Sequence, residues 1–406
     1  MEQIIAGIDV HKRMLAVVVG QLGKLETEWT EKRFGTTERE RERLREWLRQ
    51  QEVGDVVMES TAQYWRPVWI ALEGEWELHL AQARSNRAPG GRKTDFGDAR
   101  RLVRRFLAGE LILSFVPEPE QRDWRMLSRG RQQLVEDRVR LQNQIEGLLE
   151  ETRIKLSSVV SDLLGATGRR ILEALAAGQR DPEQLAALAD YRLHTSREDL
   201  TDALRGGLGV LQQGMLKRQL QRLSLLDQQI EEMTQALSQA LRVHQEAVQR
   251  LSEIPGLGPE AAQQMIAEVG PQAKAFASAA QLASWIGVCP GRQESAGNSC
   301  SNRSPKGNRT LRRVLTQVAW AAVRSKGSRF QDLFQSLVGR LGAPKAIWAV
   351  AHRLARLVWL VLHQGVAYQE FGPRAQNPEA LRRRKNHHLK RLRSLGYDVQ
   401  LQPRAV

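Results

Sequence analysis

The chain has 406 residues, and 61 Lys and Arg outnumber 46 Asp and Glu to give a formal net charge of +15 at pH 7. A chain of this length folds into two or three domains with buried cores, and this excess of positive charge favours a polyanionic partner, nucleic acid before membrane. The apolar runs are too short to span a bilayer and no signal peptide is recognisable, which argues against a membrane or secreted protein. The two cysteines lack metal-ligand spacing, which argues against a zinc site and a disulfide framework. We therefore expect a cytoplasmic protein.

The N-terminal part of the chain alternates short apolar strands with charged helices. Strands are predicted at 3–10, 15–20, 26–33, 55–59 and 76–80, and helices after Thr36-Thr37, at 64–72 and from the stretch 93–101 to about Leu107. Three hairpin-like strands followed by helix, strand, helix and strand form an α/β pattern. That order matches the ribonuclease H-like sheet, whose first strand carries a central Asp and whose fourth strand ends in an acidic residue beside it.

Four carboxylates stand where such a sheet would gather them. Asp9 ends the first strand and Glu59 the fourth, and Asp95 and Asp98 lie three residues apart, on one face if their stretch opens a helix. Singly, each has an ordinary explanation as a turn residue, a solvated strand edge or a helix with surface ion pairs. Together, in this strand order, they favour a site for two divalent metal ions, Mg²⁺ or also Mn²⁺, about 4 Å apart on a phosphodiester.

Cationic segments accompany the acids and end the chain. Arg92 and Lys93 precede the acidic pair and Arg101 follows it, and we predict that these side chains hold phosphates of nucleic acid. The tail 371–406 holds nine Lys and Arg against two acidic residues, a net charge of +7. Such a tail is predicted to be partly disordered and to touch nucleic acid.

Two long helices are predicted in the middle of the chain, at 121–156 and 212–251. Apolar residues recur every seven positions in both, as Leu127, Leu134, Leu141 and Leu148 and as Leu216, Leu223, Ile230 and Leu237. This period indicates a helical hairpin or a coiled coil that serves as a spacer and oligomerisation arm. An ordinary packed bundle is the alternative. Arg131 and Arg138 interrupt the first seam, and His244 would continue the second.

The stretch Ile254-Pro255-Gly256-Leu257-Gly258-Pro259 is typical of a helix-hairpin-helix. Gly256 and Gly258 would let the backbone approach a phosphate, and the following helix would offer its free N–H groups. A Gly-rich turn that merely joins two helices is the alternative. The high positive charge of the chain favours a contact with the DNA backbone.

Residues 291–309 form a predicted loop rich in Gly, Ser and Asn. Four cations in or beside it, and one in the helix that follows, are candidates for phosphate binding: Arg292, Arg303, Lys306, Arg309 and Arg312. A serine here could attack a phosphate if its proton were removed and the developing charge neutralised. A basic loop that only binds DNA is the alternative.

Five motifs in order carry a resemblance to a known family. They are Gly7-Ile8-Asp9-Val10-His11-Lys12, Met58-Glu59-Ser60-Thr61, Lys93-Thr94-Asp95-Phe96-Gly97-Asp98-Ala99, Pro255-Gly256-Leu257-Gly258, and Glu294-Ser295-Ala296-Gly297 with Lys306-Gly307-Asn308-Arg309. Across residues 3–365 the chain resembles the DEDD-type insertion-sequence transposases of the "one-ten" family, and Ser-Ala-Gly brings it closer to the "eleven-eleven" subgroup.

The resemblance implies a two-part enzyme. Residues 1–115 would be similar to the Holliday-junction resolvase RuvC, with Asp9, Glu59, Asp95 and Asp98 as the metal set. Residues 116–250 would form the helical arm, and residues 251–370 a domain whose serine nucleophile falls on Ser295, followed by the basic tail. In relatives this serine forms a phosphoserine link to DNA. Ser299, Ser301 and Ser304 share its loop and stay candidates.

The resemblance also implies partners. The family is guided by a structured noncoding RNA that pairs with donor and target double-stranded DNA, and it acts as a homo-oligomer, a dimer to a tetramer. Recognition delegated to RNA needs basic channels more than base-reading side chains. Two other functions stay open: a junction-type endonuclease with the same acids and water as nucleophile, and a non-catalytic nucleic-acid scaffold.

Overall fold

The computed structural model describes residues 4–21, 28–59, 62–83, 86, 94–291, 293–295, 298–301 and 304–370, and in the tail 385–386, 389, 392–393 and 396–398. The chain divides into two compact units, Met1–Pro117 and Glu118–Val406. The first unit contains a five-stranded sheet and the second is mainly helical, so the fold is mixed α/β with a large helical part.

The first unit follows the predicted order of elements. Its strands and helices are β1 Ile4–Val10, β2 Met14–Gln21, β3 Thr30–Gly35, α1 Glu38–Gln50, β4 Asp55–Glu59, α2 Trp65–Leu72, β5 Glu77–Ala81 and α3 Asp95–Leu107. The strand order is β3-β2-β1-β4-β5, with β1, β2 and β3 antiparallel and β1, β4 and β5 parallel. This is the topology expected of a ribonuclease H-like sheet.

The third strand lies later in the chain than predicted. It covers Thr30–Gly35 rather than 26–33, and residues 26 and 27 lie outside the described part. Its position is set by Phe34, which is opposite Leu15 on β2 and is 2% exposed. A buried aromatic side chain anchors the register of an edge strand more firmly than the polar residues before it.

The central strands are buried on both faces because helices cover each side. On one side Ile8 packs in a cluster with Leu44 and Leu48 of α1 and with residues of α2, and on the other side α3 packs against Ile5 and Val57. Gly7 allows α3 to lie directly on β1, since a Cβ at this position would be 2.4 Å from the carbonyl oxygen of Ala99. The start of α3 is therefore held close to the end of β1.

The second unit contains helices and one short hairpin in its described part. Its elements are α4 Pro119–Glu151, α5 Leu156–Val159, α6 Ala166–Ala176, α7 Pro182–Ala186, α8 Arg197–Ala203, α9 Val210–Ala240, α10 Gln245–Ser252, α11 Pro259–Val269, α12 Ala279–Ile286, β6 Gln293–Ser295, β7 Asn298–Ser301, α13 Arg309–Arg324, α14 Arg329–Leu341 and α15 Ala343–Gln364.

Helices α4 and α9 pack antiparallel, as the predicted helical hairpin requires. Arg131 Nε lies 2.6 Å from Thr234 Oγ1 and Arg138 Nε lies 2.7 Å from Asp227 Oδ1, so numbers rise along one helix as they fall along the other. The two arginines that interrupt the leucine seam are thus each matched by a polar partner. A supercoiled geometry stays a prediction.

The second long helix is shorter than predicted. It ends at Ala240, and a 3₁₀ turn, Arg242–His244, separates it from α10. Leu241 turns into the core with no exposure, and the His244 ring lies edge-on to Trp124 at 5.2 Å. The seven-residue leucine period ends before His244, and at this point the chain forms the 3₁₀ turn instead of continuing the long helix.

Two apolar clusters stabilise this unit. One contains the C-terminal half of α4, the N-terminal half of α9 and helices α5–α8. The other contains α15 and helices α10–α14. Helix α15 is long and apolar enough to cross a membrane by length and composition alone, but half of its most apolar stretch is buried in this cluster. We interpret it as the core helix of the unit.

The turn between α10 and α11 joins two helices where the helix-hairpin-helix is predicted, and Gly256 makes a packing contact there. Its φ is +80°, and a Cβ would be 2.4 Å from the backbone nitrogen of Ala322 on α13. The close contact with α13 is by itself sufficient to require a glycine at this position. Gly258 precedes α11 with no atom near its Cβ position. Phosphate contacts at Gly256 and Gly258 stay predictions.

Candidate active site

The sheet brings the predicted acids to one edge. Asp9 lies near the carboxyl end of β1 and Glu59 ends β4, and these strands are parallel neighbours. Asp95 and Asp98 lie in the first turn of α3, which begins after Thr94; its Oγ1 accepts a hydrogen bond from Gly97 N at 3.2 Å. Thr94 is a favoured residue type at this position because its side chain satisfies a backbone donor of the first turn.

Three side chains from two segments form a compact group: Asp9, His11 and Asp95. His11 Nε2 lies 3.1 Å from Asp9 Oδ2 and 3.5 Å from Asp95 Oδ1, and one ligand atom from each residue lies within 4.8 Å of the others. Arg33 Nη2 lies 3.7 Å from Asp95 Oδ2. Carboxylate oxygens and a neutral imidazole nitrogen are ligands of divalent metal ions.

The electrostatics of Asp9 show that Asp98 belongs to the same neighbourhood. Asp9 is only 8% exposed. Burial raises the pKa of this carboxyl above its ordinary value, the negative charges of Asp98 and Asp95 raise it further, and the hydrogen bond and charge of His11 oppose the change. Several carboxylates held together with little solvent repel one another, and a bound cation would relieve that repulsion.

Glu59 is connected to the acids of α3 through Asn86 and Arg101. Asn86 Nδ2 donates to Glu59 Oε2 at 2.8 Å, and Arg101 Nε donates to the backbone carbonyl of Asn86 at 3.2 Å. The same guanidinium pairs with Asp98 through Nη2. Arg101 is thus engaged with protein groups in this structure, and its predicted contact with phosphate stays a prediction.

A buried oxygen on Asn86 supports a cation at this edge. Asn86 is 3% exposed, and its Oδ1 is a buried acceptor without a partner in the described part of the chain. A buried acceptor left unpaired is costly, and an amide oxygen is a hard donor of the kind that Mg²⁺ and Mn²⁺ accept. The donor set of carboxylates and one amide oxygen, with an imidazole beside them, fits a divalent metal.

Two residues of this site, His11 and Asn86, were not predicted as functional. His11 follows β1 in the turn before β2, and only the resemblance of its motif singled it out. Asn86 lies in a segment without hydrophobic periodicity, and no pattern in the sequence marks it.

The predicted loop 291–309 contains a short hairpin in the second unit, strands β6 and β7, which we call the serine hairpin. Ser295 ends β6 and pairs with Asn298, and Glu294 pairs with Ser299. The side chains of Ser295, Ser299 and Ser301, and the residues Arg92, Lys93, Arg292 and Arg303, lie outside the described part. Ser304 is described, and its hydroxyl accepts a hydrogen bond from Trp348 Nε1 at 2.7 Å.

Cations lie where this hairpin joins the helices. Lys306 and Arg309 are exposed, and Arg312 donates to the carbonyl of Pro305 at 2.6 Å while its guanidinium lies 4.8 Å from the centre of the Trp348 ring. One exposed cation near this hairpin was not predicted: Arg356 on α15 is close enough for its charge to act on Cys289, which precedes the hairpin. Exposed cations beside a loop are suited to phosphate.

Acids at the carboxyl ends of the central strands of a five-stranded mixed sheet, on a chain with this positive charge, are suited to a metal-dependent enzyme that acts on nucleic acid. Sequence models agree in both parts: a DEDD-type IS110 model described as "Transposase" matches residues 6–154, and "Transposase IS116/IS110/IS902 family" matches residues 248–335. The chain belongs to the IS110 family of transposases.

Known proteins of this family are similar over most of the chain. The transposase for insertion sequence element IS1111A of Coxiella burnetii is 28% identical over 78% of this chain and 80% of its own length. The chain y4rJ of Sinorhizobium fredii, also named as a transposase, is 30% identical over 68% of each chain. The predicted family and the predicted enzyme class are confirmed.

Proposed function

We propose that this transposase cleaves and rejoins DNA strands of a mobile element with a divalent-metal site on the first unit and Ser295 on the second. The convergence of Asp9, His11 and Asp95, with Asp98 within electrostatic reach, carries the proposal. We assign Asp9, Glu59, Asp95 and Asp98 to Mg²⁺ or Mn²⁺, with Asn86 Oδ1 as a further oxygen donor and His11 as a neighbour of the ligands.

The bound cation would neutralise charge on the phosphodiester and on the reacting oxygens. The chain's own groups do the rest of the work at the first unit. Arg101 and Asn86 hold Glu59 and Asp98 in orientation through the hydrogen bonds given above. The ring of His11 lies between Asp9 and Asp95, where its Nε2 is placed to accept or return a proton.

At the second unit, Ser295 Oγ attacks a DNA phosphorus. The Oγ–P bond forms and the bond from phosphorus to one deoxyribose oxygen breaks; the serine proton passes to a base and the departing oxygen takes up a proton. Lys306 and Arg309 would bind the phosphate and its developing negative charge. The phosphoserine link conserves the energy of the broken bond, so that a second strand can be joined.

A structured guide RNA and an assembly of two to four copies complete the proposal. The charge of +15 and the exposed cations are suited to RNA and DNA backbones. The long α4–α9 hairpin offers an extended surface for a second copy. We place the action of the enzyme on DNA of the bacterial cytoplasm, at the nucleoid.

The test uses the full chain purified with the RNA that accompanies it, supercoiled donor DNA and Mg²⁺. Wild type should give a protein–DNA adduct on a denaturing gel; Asp98→Ala should remove cleavage and retain DNA binding, and Ser295→Ala should remove the adduct. Ser299→Ala and Ser301→Ala are matched controls in the same hairpin and should leave the adduct intact. Ribonuclease treatment before the assay should abolish site-directed cleavage.

The same experiment separates the other functions. Undiminished cleavage without an adduct in Ser295→Ala would indicate a junction-type nuclease that uses water. An adduct that survives Ser295→Ala but disappears in Ser299→Ala or Ser301→Ala would move the nucleophile. Nucleic-acid binding that is indifferent to Mg²⁺, with no cleavage in wild type, would indicate a scaffold whose acids are structural.

A further inference from the structure

Glu268 on α11 is a charged side chain that the proposed chemistry does not use, and it has no solvent exposure. Arg129 Nε and Nη2 on α4 donate to its two oxygens at 2.7 and 2.8 Å, and Arg125 Nε lies 3.5 Å away. A third segment also reaches it, because Asn308 Nδ2 donates to Glu268 Oε2 at 2.8 Å. Buried carboxylates of this kind are rare unless they are paired and hydrogen-bonded.

Glu268 is ionised at neutral pH. Burial alone would raise the pKa of its carboxyl, but the hydrogen bonds and charge of Arg129, the charge of Arg125 and the hydrogen bond from Asn308 outweigh burial and lower the pKa below its ordinary value. The charge therefore persists and keeps a strong acceptor facing Asn308.

Asn308 uses both ends of its amide. Its Oδ1 accepts from Leu311 N at 3.0 Å and caps α13, while its Nδ2 donates to Glu268. Its backbone nitrogen donates to the carbonyl of Trp285 at 3.3 Å. With three contacts in three directions, Asn308 has one orientation, and it is the last residue before α13 on the chain that returns from the serine hairpin.

The residues beside Asn308 have no alternative placement either. A Cβ on Gly307 would be 2.1 Å from the carbonyl oxygen of Ile286, and one on Gly287 would be 2.6 Å from the carbonyl oxygen of Pro305. The Ser304 hydroxyl accepts from Trp348. The base of the hairpin, residues 304–308, is thus fixed on helices on several sides, and only residues 302 and 303 separate it from β7.

We propose that Glu268 is a positioning residue for the serine hairpin: anchored by Arg125 and Arg129 of α4, it fixes Asn308 and thereby the point from which β6–β7 projects. The proposal rests on the proposed function, since it assigns the nucleophile to this hairpin. Reactive groups must be placed to within a fraction of an ångström, and a misplacement of about 1 Å costs roughly 100-fold in rate.

The test is a swap of the link. Asn308→Asp keeps the cap of α13 and the size of the side chain, but it removes the donor and sets a second carboxylate against Glu268. Glu268→Gln with Asn308→Asp removes the repulsion and lets the amide of the new Gln donate to the new carboxylate. It also replaces the oxygen that accepts from Arg129 Nη2, so recovery should be partial. Asp227→Asn is the matched control, because Asp227 is another carboxylate of this unit bound by two arginines, Arg138 and Arg169, remote from the hairpin in sequence.

The readout is the single-turnover rate of adduct formation at saturating DNA, with DNA affinity measured separately. We expect Asn308→Asp to slow the adduct roughly 10- to 100-fold with DNA affinity within about 2-fold of wild type, and the double variant to recover part of the rate. Asp227→Asn should lower the unfolding temperature without slowing the adduct. Equal slowing in Asp227→Asn or a wild-type rate in Asn308→Asp would overturn the proposal.

Hydrogen exchange distinguishes failure of this proposal from failure of the serine mechanism. Amides of β6 and β7 should exchange faster in Asn308→Asp than in wild type and recover in the double variant, whether or not an adduct forms. If wild type forms no adduct, the serine mechanism fails, and exchange alone decides the anchor. Unchanged exchange across the hairpin in Asn308→Asp would show that Glu268 does not hold it.

Discussion

Replacing Asp9 by Asn should change the stability of the first unit in opposite directions with and without a divalent metal. In the metal-free protein the buried carboxylate lies close to two others, and its pKa is raised by burial first and then by Asp98 and Asp95. A group with a raised pKa in the folded state costs stability as the pH rises through that pKa. Asn removes this cost and its Oδ1 still accepts from His11, so metal-free Asp9→Asn should gain about 0.5–2 kcal/mol at pH 7.

With metal the order should reverse. A ligand at about 100 times its Kd stabilises the folded state by about 2.7 kcal/mol. For a cooperative unit the size of Met1–Pro117, this corresponds to an increase in Tm of roughly 10 °C. Asp9→Asn removes a central ligand, so the increase with Mn²⁺ should fall to about 2 °C or less.

The assay is thermal unfolding of the full chain at pH 7, with chelator and with millimolar Mn²⁺, for wild type and Asp9→Asn. Glu42→Gln is the control: a half-exposed acid on α1, paired with Arg45, whose loss should cost at most about 0.5 kcal/mol and leave the Mn²⁺ response intact. Equal Mn²⁺ responses in wild type and Asp9→Asn would refute the assignment of Asp9 to a metal, and a metal-free variant less stable than wild type would refute the electrostatic argument.

Three further predictions concern the second unit. Gly307→Ala places a Cβ 2.1 Å from Ile286 O and should cost about 3 kcal/mol in chemical denaturation, whereas Gly339→Ala, in open space on α14, should gain about 0.5–1 kcal/mol; equal effects would contradict the close contact. Burial would raise the pKa of Asp227, but two arginines lower it below its ordinary value. The free energy of unfolding should therefore decrease as the pH falls through that lowered pKa. In Asp227→Asn, urea unfolding between pH 7 and 3 should show a smaller decrease. Ile145 has no exposure, so Ile145→Ala should cost about 2–5 kcal/mol and Ile145→Val about 0.5–1.5; a cost for Ala near that for Val would indicate a collapsible site.

Elements with a strong period were predicted closely from the sequence. Residues 55–59 form β4 as expected, and Leu44, Trp47 and Leu48 form the buried stripe of α1. Such patterns are local: burial on one face of a helix or both faces of a strand leaves a repeat that neighbouring residues reveal. The acids of the site could be grouped because the strand order was predicted correctly, and parallel neighbours end at one edge.

Features that depend on distant contacts were not predictable in the same way. Asn86 meets Glu59 only because a segment without periodicity returns to the sheet edge. At Gly256 the pattern indicates that backbone must approach closely, but it does not say what approaches, and in the structure the backbone of α13 does so. Helix α9 ends at Ala240, and the His244 ring then packs edge-on against Trp124, which lies far away in sequence.

The contact between β1 and α3 makes the site depend on Gly7, although this residue has no side chain that could take part in the reaction. Gly7 and Asp9 point to the same face of β1, and the hydrogen at Gly7 lies under Ala99, the residue after Asp98. A single methyl group there would lift the helix and widen the distance between ligands without removing any of them. Copies of a mobile element accumulate substitutions. We expect a substitution at position 7 to inactivate a copy of the enzyme that still folds and still carries all four acids.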